Sequence, residues 1–389
     1  MATRRPRVFL VAGEVSGDLH GADLAAELLT LAPELRLEGI GGRRMAAAGV
    51  TLIEDSSDWG VIGWFESARH LRPFLRRLAE VTARLLDEPP DVLVPIDFPG
   101  FNLALLKRLR GRIRAVYYVP PMVAIRRGRR AQRVAALGAR LLAVFPFEAE
   151  AYRQAGANVT FIGHPAVDHR SSVAPPALIR RRLGLPAASP VLGLLPGSRQ
   201  QELDRLLDPM LDAAARIRDA DPGVCVLLAL ASPSFRGAVQ AAVSRSGVPV
   251  TMVEGAREVM AVSTVLLMAS GTATVEAMVF AVPMVVTYRV SRLTWMMVPL
   301  AMTARYAAIP NIMADESVVP ELLQERATAP RMCAAALALL RDSALHERTA
   351  ARLRQLADRL GPPGAARRAA LEVLAAAGRP ALKADLAFE

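Results

Sequence analysis

The sequence predicts an α/β protein of two Rossmann-like, doubly wound domains facing across a cleft, with a helical C-terminal region. Three observations predict it. The chain has 389 residues, more than one hydrophobic core usually organises. Short β-type apolar runs alternate with helix-period stretches, the pattern of parallel sheets covered by helices. The segments after those runs are rich in glycine and hydroxyl residues, and open α/β sheets bind ligands beyond the carboxyl ends of their strands.

Taken in order, a first strand is expected at 8–12 and a helix at 22–31, then a strand at 37–40 leading into a Gly-rich turn. A strand at 92–96 precedes a helix at 103–109, and further strands fit 115–119, 141–144 and 159–162. Residues 166–190, rich in Pro, Ser and Arg, read as a linker with a short Arg-rich helix. The alternation restarts with strands at 191–195, 224–230, 248–253, 265–268 and 283–287. Beyond Val318 the chain reads as helical to about Gly378, broken by Gly361-Pro362-Pro363-Gly364. The expected domains are 1–167 and 168–389.

Hydrophobic residues make up 52% and aromatics 5%, so aliphatic cores are expected. The net charge is +11. Only Lys107 and Lys383 are lysines, and arginine beside abundant alanine reads as a coding bias, which weakens the charge as a guide to function. It still permits an anionic partner. Cys225 and Cys333 lack metal-ligand spacing and suit structural thiols in a reducing cytoplasm. Arginines at 4, 5 and 7 before the first apolar run resemble a signal peptide, but Gly13-Glu14 interrupts a run too short for one. Residues 293–304, the nearest approach to a membrane span, reach about half the required length. The expected location is cytoplasmic, on the inner face of the membrane.

Four segments after strands carry candidate chemistry. Gly13-Glu14-Val15-Ser16-Gly17-Asp18 has turn glycines without a dinucleotide fingerprint, and Asp97-Phe98-Pro99-Gly100-Phe101-Asn102 follows another strand. Leu195-Pro196-Gly197-Ser198-Arg199 leads to Glu202 just inside a helix. Ser270-Gly271-Thr272-Ala273-Thr274-Val275-Glu276 joins a strand to a helix, where outward N–H groups suit a phosphate or diphosphate. Glu276, one turn in, is within reach of a ribose or sugar hydroxyl. His164, at the domain junction, either lines the cleft or caps the hinge. Asp219-Ala220-Asp221 spells a DxD but precedes Pro222-Gly223 and reads as a turn, so no metal and no cofactor are assigned. The arginines within 126–133 lack interleaved aromatics for base stacking, which excludes nucleic acid as the expected partner.

These segments together resemble the lipid-A-disaccharide synthase family of GT-B glycosyltransferases. The resemblance also rests on Gly41-Gly42-Arg43-Arg44-Met45, Gly63 with Glu66, Phe145-Pro146-Phe147-Glu148, Phe161-Ile162-Gly163-His164-Pro165 and Pro310-Asn311. It implies transfer of 2,3-diacylglucosamine from its UDP-sugar to the 6-hydroxyl of 2,3-diacylglucosamine 1-phosphate. An α-linked donor and β-linked product imply inversion by one displacement, which needs a base and stabilisation of the departing diphosphate. Asp97 is the expected base, with Glu14 beside it as the second catalytic candidate. Arg199, Ser198, Ser270, Gly271 and Thr272 are expected on the diphosphate, and Glu276 and Asn311 on the nucleoside or sugar. Ser16, Asp18, Asn102 and His164 are expected to line the acceptor side.

The chain departs from the family pattern in two places. The usual Ser-Pro-Ser-Val-Trp-Ala-Trp-Arg reads Pro120-Pro121-Met122-Val123-Ala124-Ile125-Arg126-Arg127, and a usual Gly-Arg-Glu near Ala314 reads Asp315-Glu316-Ser317. The acceptor is therefore either the family's own or a related lipid-linked sugar. Trp64 with Phe65, and Trp295 with Met296, lie in apolar stretches bordered by arginines and are expected to touch the membrane. A homodimer stays open. The competing functions are a UDP-N-acetylglucosamine 2-epimerase on the same fold and a non-catalytic lipid or nucleic-acid binder.

Overall fold

The computed structural model describes residues 5–56, 71–125, 129–290, 295 and 305–378. It divides into two compact units, one of residues 1–165 with 362–389 and one of residues 166–361.

The first unit holds seven strands: β1 (Arg7–Ala12), β2 (Arg36–Gly41), β3 (Thr51–Asp55), β4 (Val92–Ile96), β5 (Val116–Tyr118), β6 (Arg140–Ala143) and β7 (Val159–Phe161). They form one sheet in the order β3-β2-β1-β4-β5-β6-β7, with every pairing parallel. The central strands β1 and β4 read as unbroken apolar runs because helices cover both of their faces. From β1 the chain winds outward through β2 and β3, then returns to β4 on the other side. The topological switch point therefore lies between β1 and β4, where ligand crevices open in such sheets. On β2, Gly39 faces the Leu10 carbonyl so closely that a Cβ there would collide with backbone.

The second unit holds β8 (Val191–Leu195), β9 (Cys225–Leu230), β10 (Val250–Glu254), β11 (Val265–Ala269), β12 (Met284–Tyr288) and β13 (Glu321–Leu323). Their order is β10-β9-β8-β11-β12-β13, again all parallel, with the switch point between β8 and β11. The helix Gln200–Ala220 lays Leu203, Leu206, Leu207, Met210, Ala214 and Ile217 into the core, the stripe of an amphipathic helix on a sheet.

Three expectations are corrected. The edge strand β3 is half-buried and β13 is three residues long, so neither carries a pronounced apolar run, and β13 interrupts the stretch read as helical beyond Val318. The terminal helix Ala365–Ala376 belongs to the first unit, not to the 168–389 half. It packs on the helix Val15–Leu31 through an alanine face that permits close approach, with Ala365, Ala369 and Ala370 fully buried. Polar contacts fix it there: Arg140 pairs with Glu372 at 2.6 Å, and Arg368 Nε donates to the Ile162 carbonyl at 2.8 Å.

The glycine positions give a paired stability test. Gly39→Ala should lower the unfolding free energy by about 3 kcal/mol, the upper end for overpacking, because the obstacle is backbone. Gly237→Ala, in the helix Arg236–Ser246 with open space around the added methyl, should raise it by up to about 1 kcal/mol. Urea midpoints of the two variants moving in the same direction would contradict this packing.

Candidate functional site

In the first unit the loops after β1 and β4 meet at the switch point. Ser16 Oγ donates to Asp97 Oδ2 at 3.0 Å, joining the two motifs through the carboxylate expected to act as base. Asp97 and Phe98 both have φ of 47°, a left-handed pair rare for side-chain-bearing residues. The carbonyl of Asp97 accepts from Asn102 Nδ2 and from the Tyr117 hydroxyl, each at 2.8 Å, and its N–H donates to the Tyr118 carbonyl at 3.0 Å. The Phe98 ring stacks on Phe101 with centroids 5.9 Å apart and occupies the space a Cβ on Gly13 would need. Burial, with Asp97 nearby, pushes the Tyr117 hydroxyl well above its ordinary value, so it stays protonated and donating. Glu14, half-buried, immediately precedes the helix Val15–Leu31, whose first residue Val15 is an exposed apolar side chain beside Ser16.

The other acceptor-side candidates have structural placements. Asn102 is fully buried beneath the Asp97 turn, so it holds that turn and does not face the acceptor. The Asp18 carboxylate accepts from the N–H groups of Gly42, Arg44 and Met45 at 2.8 to 3.1 Å and caps the helix Arg43–Ala47. His164 is buried with its ring 4.9 Å from Phe145, where it supports the end of β7.

In the second unit the loops after β8 and β11 lie at the corresponding switch point. Glu202 Oε2 accepts from the N–H groups of Ser198 at 2.8 Å and Arg199 at 3.2 Å. Those two amides are therefore engaged within the protein, and the half-exposed Arg199 side chain is what this loop presents. Ser270 ties its N–H to the Thr287 carbonyl at 2.9 Å and its hydroxyl to the Ala307 carbonyl at 3.0 Å, while Gly271 and Thr272 are exposed. Glu276, in the helix Ala273–Val279, accepts from Arg257 Nε at 2.8 Å, with His169 Nδ1 3.8 Å away. Burial alone would raise its carboxyl, but the His169 and Arg257 side chains outweigh that and hold it below the ordinary glutamate value.

Asn311 departs from expectation. It is fully buried, with Nδ2 donating to the Val319 carbonyl and Glu321 Oε1 and with Oδ1 accepting from the Val319 N–H, at 2.8 to 2.9 Å. Its polar atoms are used internally, so it braces the chain before β13 beside the cavity that it helps to line. Trp295 is half-buried and lines a cavity of about 550 Å³ with Arg305, Tyr306 and Arg326. Trp64, Phe65 and Met296 lie outside the described residues.

Several supporting residues went unassigned in the sequence. Tyr117 sits inside a plain β run, and Glu321 shows only as an acid after Pro320. Glu148, in the first turn after Pro146, accepts from the N–H groups of Val123 at 2.7 Å and Ala124 at 3.1 Å. His169 and Arg257 stand in segments without a glycine-rich turn motif. Asp221 Oδ1 accepts from the Gly223 N–H at 3.1 Å, an Asx turn. Among the described residues no group of three His, Cys, Asp or Glu is placed to hold a metal ion.

Comparison with known proteins extends these loops to the whole chain. Residues 8–372 match the model of the lipid-A-disaccharide synthetase family. The lipid-A-disaccharide synthase of Geobacter metallireducens is 38% identical over 96% of this chain and 98% of its own, and that of Myxococcus xanthus 39% identical over the same shares. Among solved structures, UDP-GlcNAc 2-epimerase from Neisseria meningitidis bound to UDP-GlcNAc shares the fold with a TM-score of 0.64 at 12% identity, covering 95% of this chain and 100% of that one. WaaG, a glycosyltransferase involved in lipopolysaccharide biosynthesis, has a TM-score of 0.55 at 15% identity, covering 94% of this chain and 99% of that one. The fold is common to both kinds of enzyme, whereas the near-complete match in sequence is specific: the chain belongs to the lipid-A-disaccharide synthase family.

Proposed function

We propose that this chain forms the lipid A disaccharide, moving 2,3-diacylglucosamine from its UDP-sugar to the 6-hydroxyl of 2,3-diacylglucosamine 1-phosphate and releasing UDP. The observation that carries the chemistry is the Ser16–Asp97 contact at the switch point, which presents an oriented carboxylate beyond the strand ends. Asp97 removes the acceptor proton as that oxygen attacks C1 from the face opposite the diphosphate. The bond from C1 to the diphosphate oxygen breaks with its electron pair passing to the leaving group, and the anomeric configuration inverts. Arg199 and the turn amides of Gly271 and Thr272 stabilise the charge that builds there, and Glu276 takes the ribose hydroxyls. The family match separates this reading from an epimerase, whose likeness rests on fold at 12% identity.

A lipid substrate needs membrane access, and we place a peripheral contact on the inner membrane face. No helix among the described residues is long and apolar enough to cross a membrane. On the helix Leu71–Asp87, Leu75 is 43% exposed between exposed Arg72 and Arg76, an apolar group bordered by cations. The same reading keeps Trp64, Phe65, Trp295 and Met296 as contacts, although the half-burial of Trp295 gives it less surface to insert.

Asp97→Asn keeps shape and hydrogen bonding but removes the proton acceptor. It should slow disaccharide formation by roughly 100-fold or more, followed by mass spectrometry of products, while leaving the UDP dissociation constant unchanged. Near-parent turnover would transfer the role to Glu14. Arg199→Ala should weaken UDP binding by roughly 10-fold or more through loss of a charge-assisted contact; calorimetry showing parent affinity would reduce Arg199 to a loop charge. Leu75→Ser should cut flotation with anionic liposomes by removing about 1 kcal/mol or more of apolar burial. Undiminished flotation would remove this helix from the contact.

A further inference from the structure

Glu276 is gripped by side chains that lie outside every loop motif. Arg257, on the helix Ala256–Val262, donates from Nε to Glu276 Oε1 at 2.8 Å, and its Nη2 lies 2.6 Å from His169 Nδ1. His169, on the helix Pro165–Ser171, lies 3.8 Å from the same Oε1. The neighbouring Arg170 donates from Nη1 to the Val279 carbonyl at 3.0 Å, pinning the far end of the Glu276 helix. Exposure falls to 24% for Arg257, 18% for Glu276 and 11% for His169, so solvent screens these contacts little. Among the described residues the partners of this carboxylate fall on Oε1, which leaves Oε2 as the oxygen able to take a ligand.

The direction of each bond gives each group a separate task. Arg257 Nη2 can only donate, so in the tautomer that leaves Nδ1 of His169 unprotonated the ring fixes the plane of the Arg257 guanidinium. The guanidinium, thus oriented, fixes the carboxylate. A free glutamate has three side-chain torsions to order when a ligand binds, and one already held loses less entropy at that moment. We propose that Arg257 and His169 are positioning residues for the nucleotide, holding Oε1 of Glu276 so that Oε2 meets the ribose hydroxyls, and thereby setting the preference for a ribonucleoside diphosphate over its 2′-deoxy form. This rests on Glu276 as the ribose contact.

The test is calorimetry on the full chain with UDP and with 2′-deoxy-UDP, alongside melting temperatures. The parent should prefer UDP by about tenfold, the worth of one charge-assisted hydrogen bond, and Glu276→Gln should remove most of that preference. His169→Asn and Arg257→Ala should each weaken UDP binding by about three- to tenfold and leave 2′-deoxy-UDP nearly unaffected. Arg257→Lys, which keeps the charge without the planar fork, should fall between and supplies the measurement if the alanine variant does not fold. Adding Arg257→Ala to Glu276→Gln should cost no further preference, because both act through one carboxylate. If Glu276→Gln lowers the preference while the Arg257 and His169 variants keep it, the positioning role is overturned and the ribose contact stands. Equal weakening toward both nucleotides, in step with melting temperature, would make the pair plain packing and also overturn it. An unchanged preference in Glu276→Gln would overturn the ribose contact and the inference together.

Discussion

The first unit depends on one backbone constraint, the left-handed pair Asp97 and Phe98 at the end of β4. Each such residue costs about 1–2 kcal/mol against an ordinary conformation, and the bulk of Phe98 makes it an outlier even for a turn. The conformation persists because its surroundings over-determine it. Asn102 and Tyr117 both donate to the carbonyl between the two strained residues, and the Phe98 ring fills the space left by Gly13. The same turn delivers the Asp97 carboxylate to Ser16, so strain sits where the proposed chemistry sits. Gly13, Ser16, Asp97 and Asn102 are one mechanical device written in two distant parts of the sequence.

The second unit solves a similar problem with a half-buried carboxylate. Glu321 accepts from the N–H groups of Ala307 and Ala308 at 2.9 to 3.1 Å and from Asn311. The Ala307 carbonyl in turn accepts from Ser270 Oγ. A carboxylate surrounded by donors satisfies its desolvation locally, which is the condition for a buried charge to be tolerated. The loop after β11 is thus held from behind, while Gly271 and Thr272 remain exposed in front. Glu202 does the same for the loop after β8, closing the amides of Ser198 and Arg199, with the arginine side chain 3.9 Å from its Oε1.

The central strands are legible in the sequence as apolar runs of five or six residues, each followed by a turn with a glycine or hydroxyl residue. The switch-point loops were legible for the same reason, since turns need residue types that stand out. What was not legible is the division of labour among polar residues inside those loops. Asp18, Asn102, Asn311 and Asp97 are the same kind of residue in sequence, yet each of the first three turns inward and bonds the backbone, while Asp97 presents its carboxylate to Ser16. That distinction depends on partners brought together by the fold, from 5 to 91 residues away in the chain, which periodicity cannot report. The terminal helix was misassigned for a related cause: its alanine face says that it packs closely, without saying on what.

The segment where the chain departs from its family shows how such a departure is tolerated. Residues 120–125 are held through backbone atoms: Glu148 accepts from the Val123 and Ala124 N–H groups, and the Tyr152 hydroxyl donates to the Pro121 carbonyl at 2.6 Å. Every residue offers a carbonyl, and every residue but proline offers an N–H, so these anchors do not specify the side chains they hold. Val123 stands where the family pattern also has valine and is buried with Pro120 and Pro121, whereas the first tryptophan position is Ala124, which is exposed. The described part of the loop can therefore keep its path while the first tryptophan is replaced by Ala124. The side chain is what changes, because stacking and broad apolar contact belong to it alone. Substitution here changes what the loop presents far more than where it runs, and it leaves the Asp97 turn and the Ser270 loop intact.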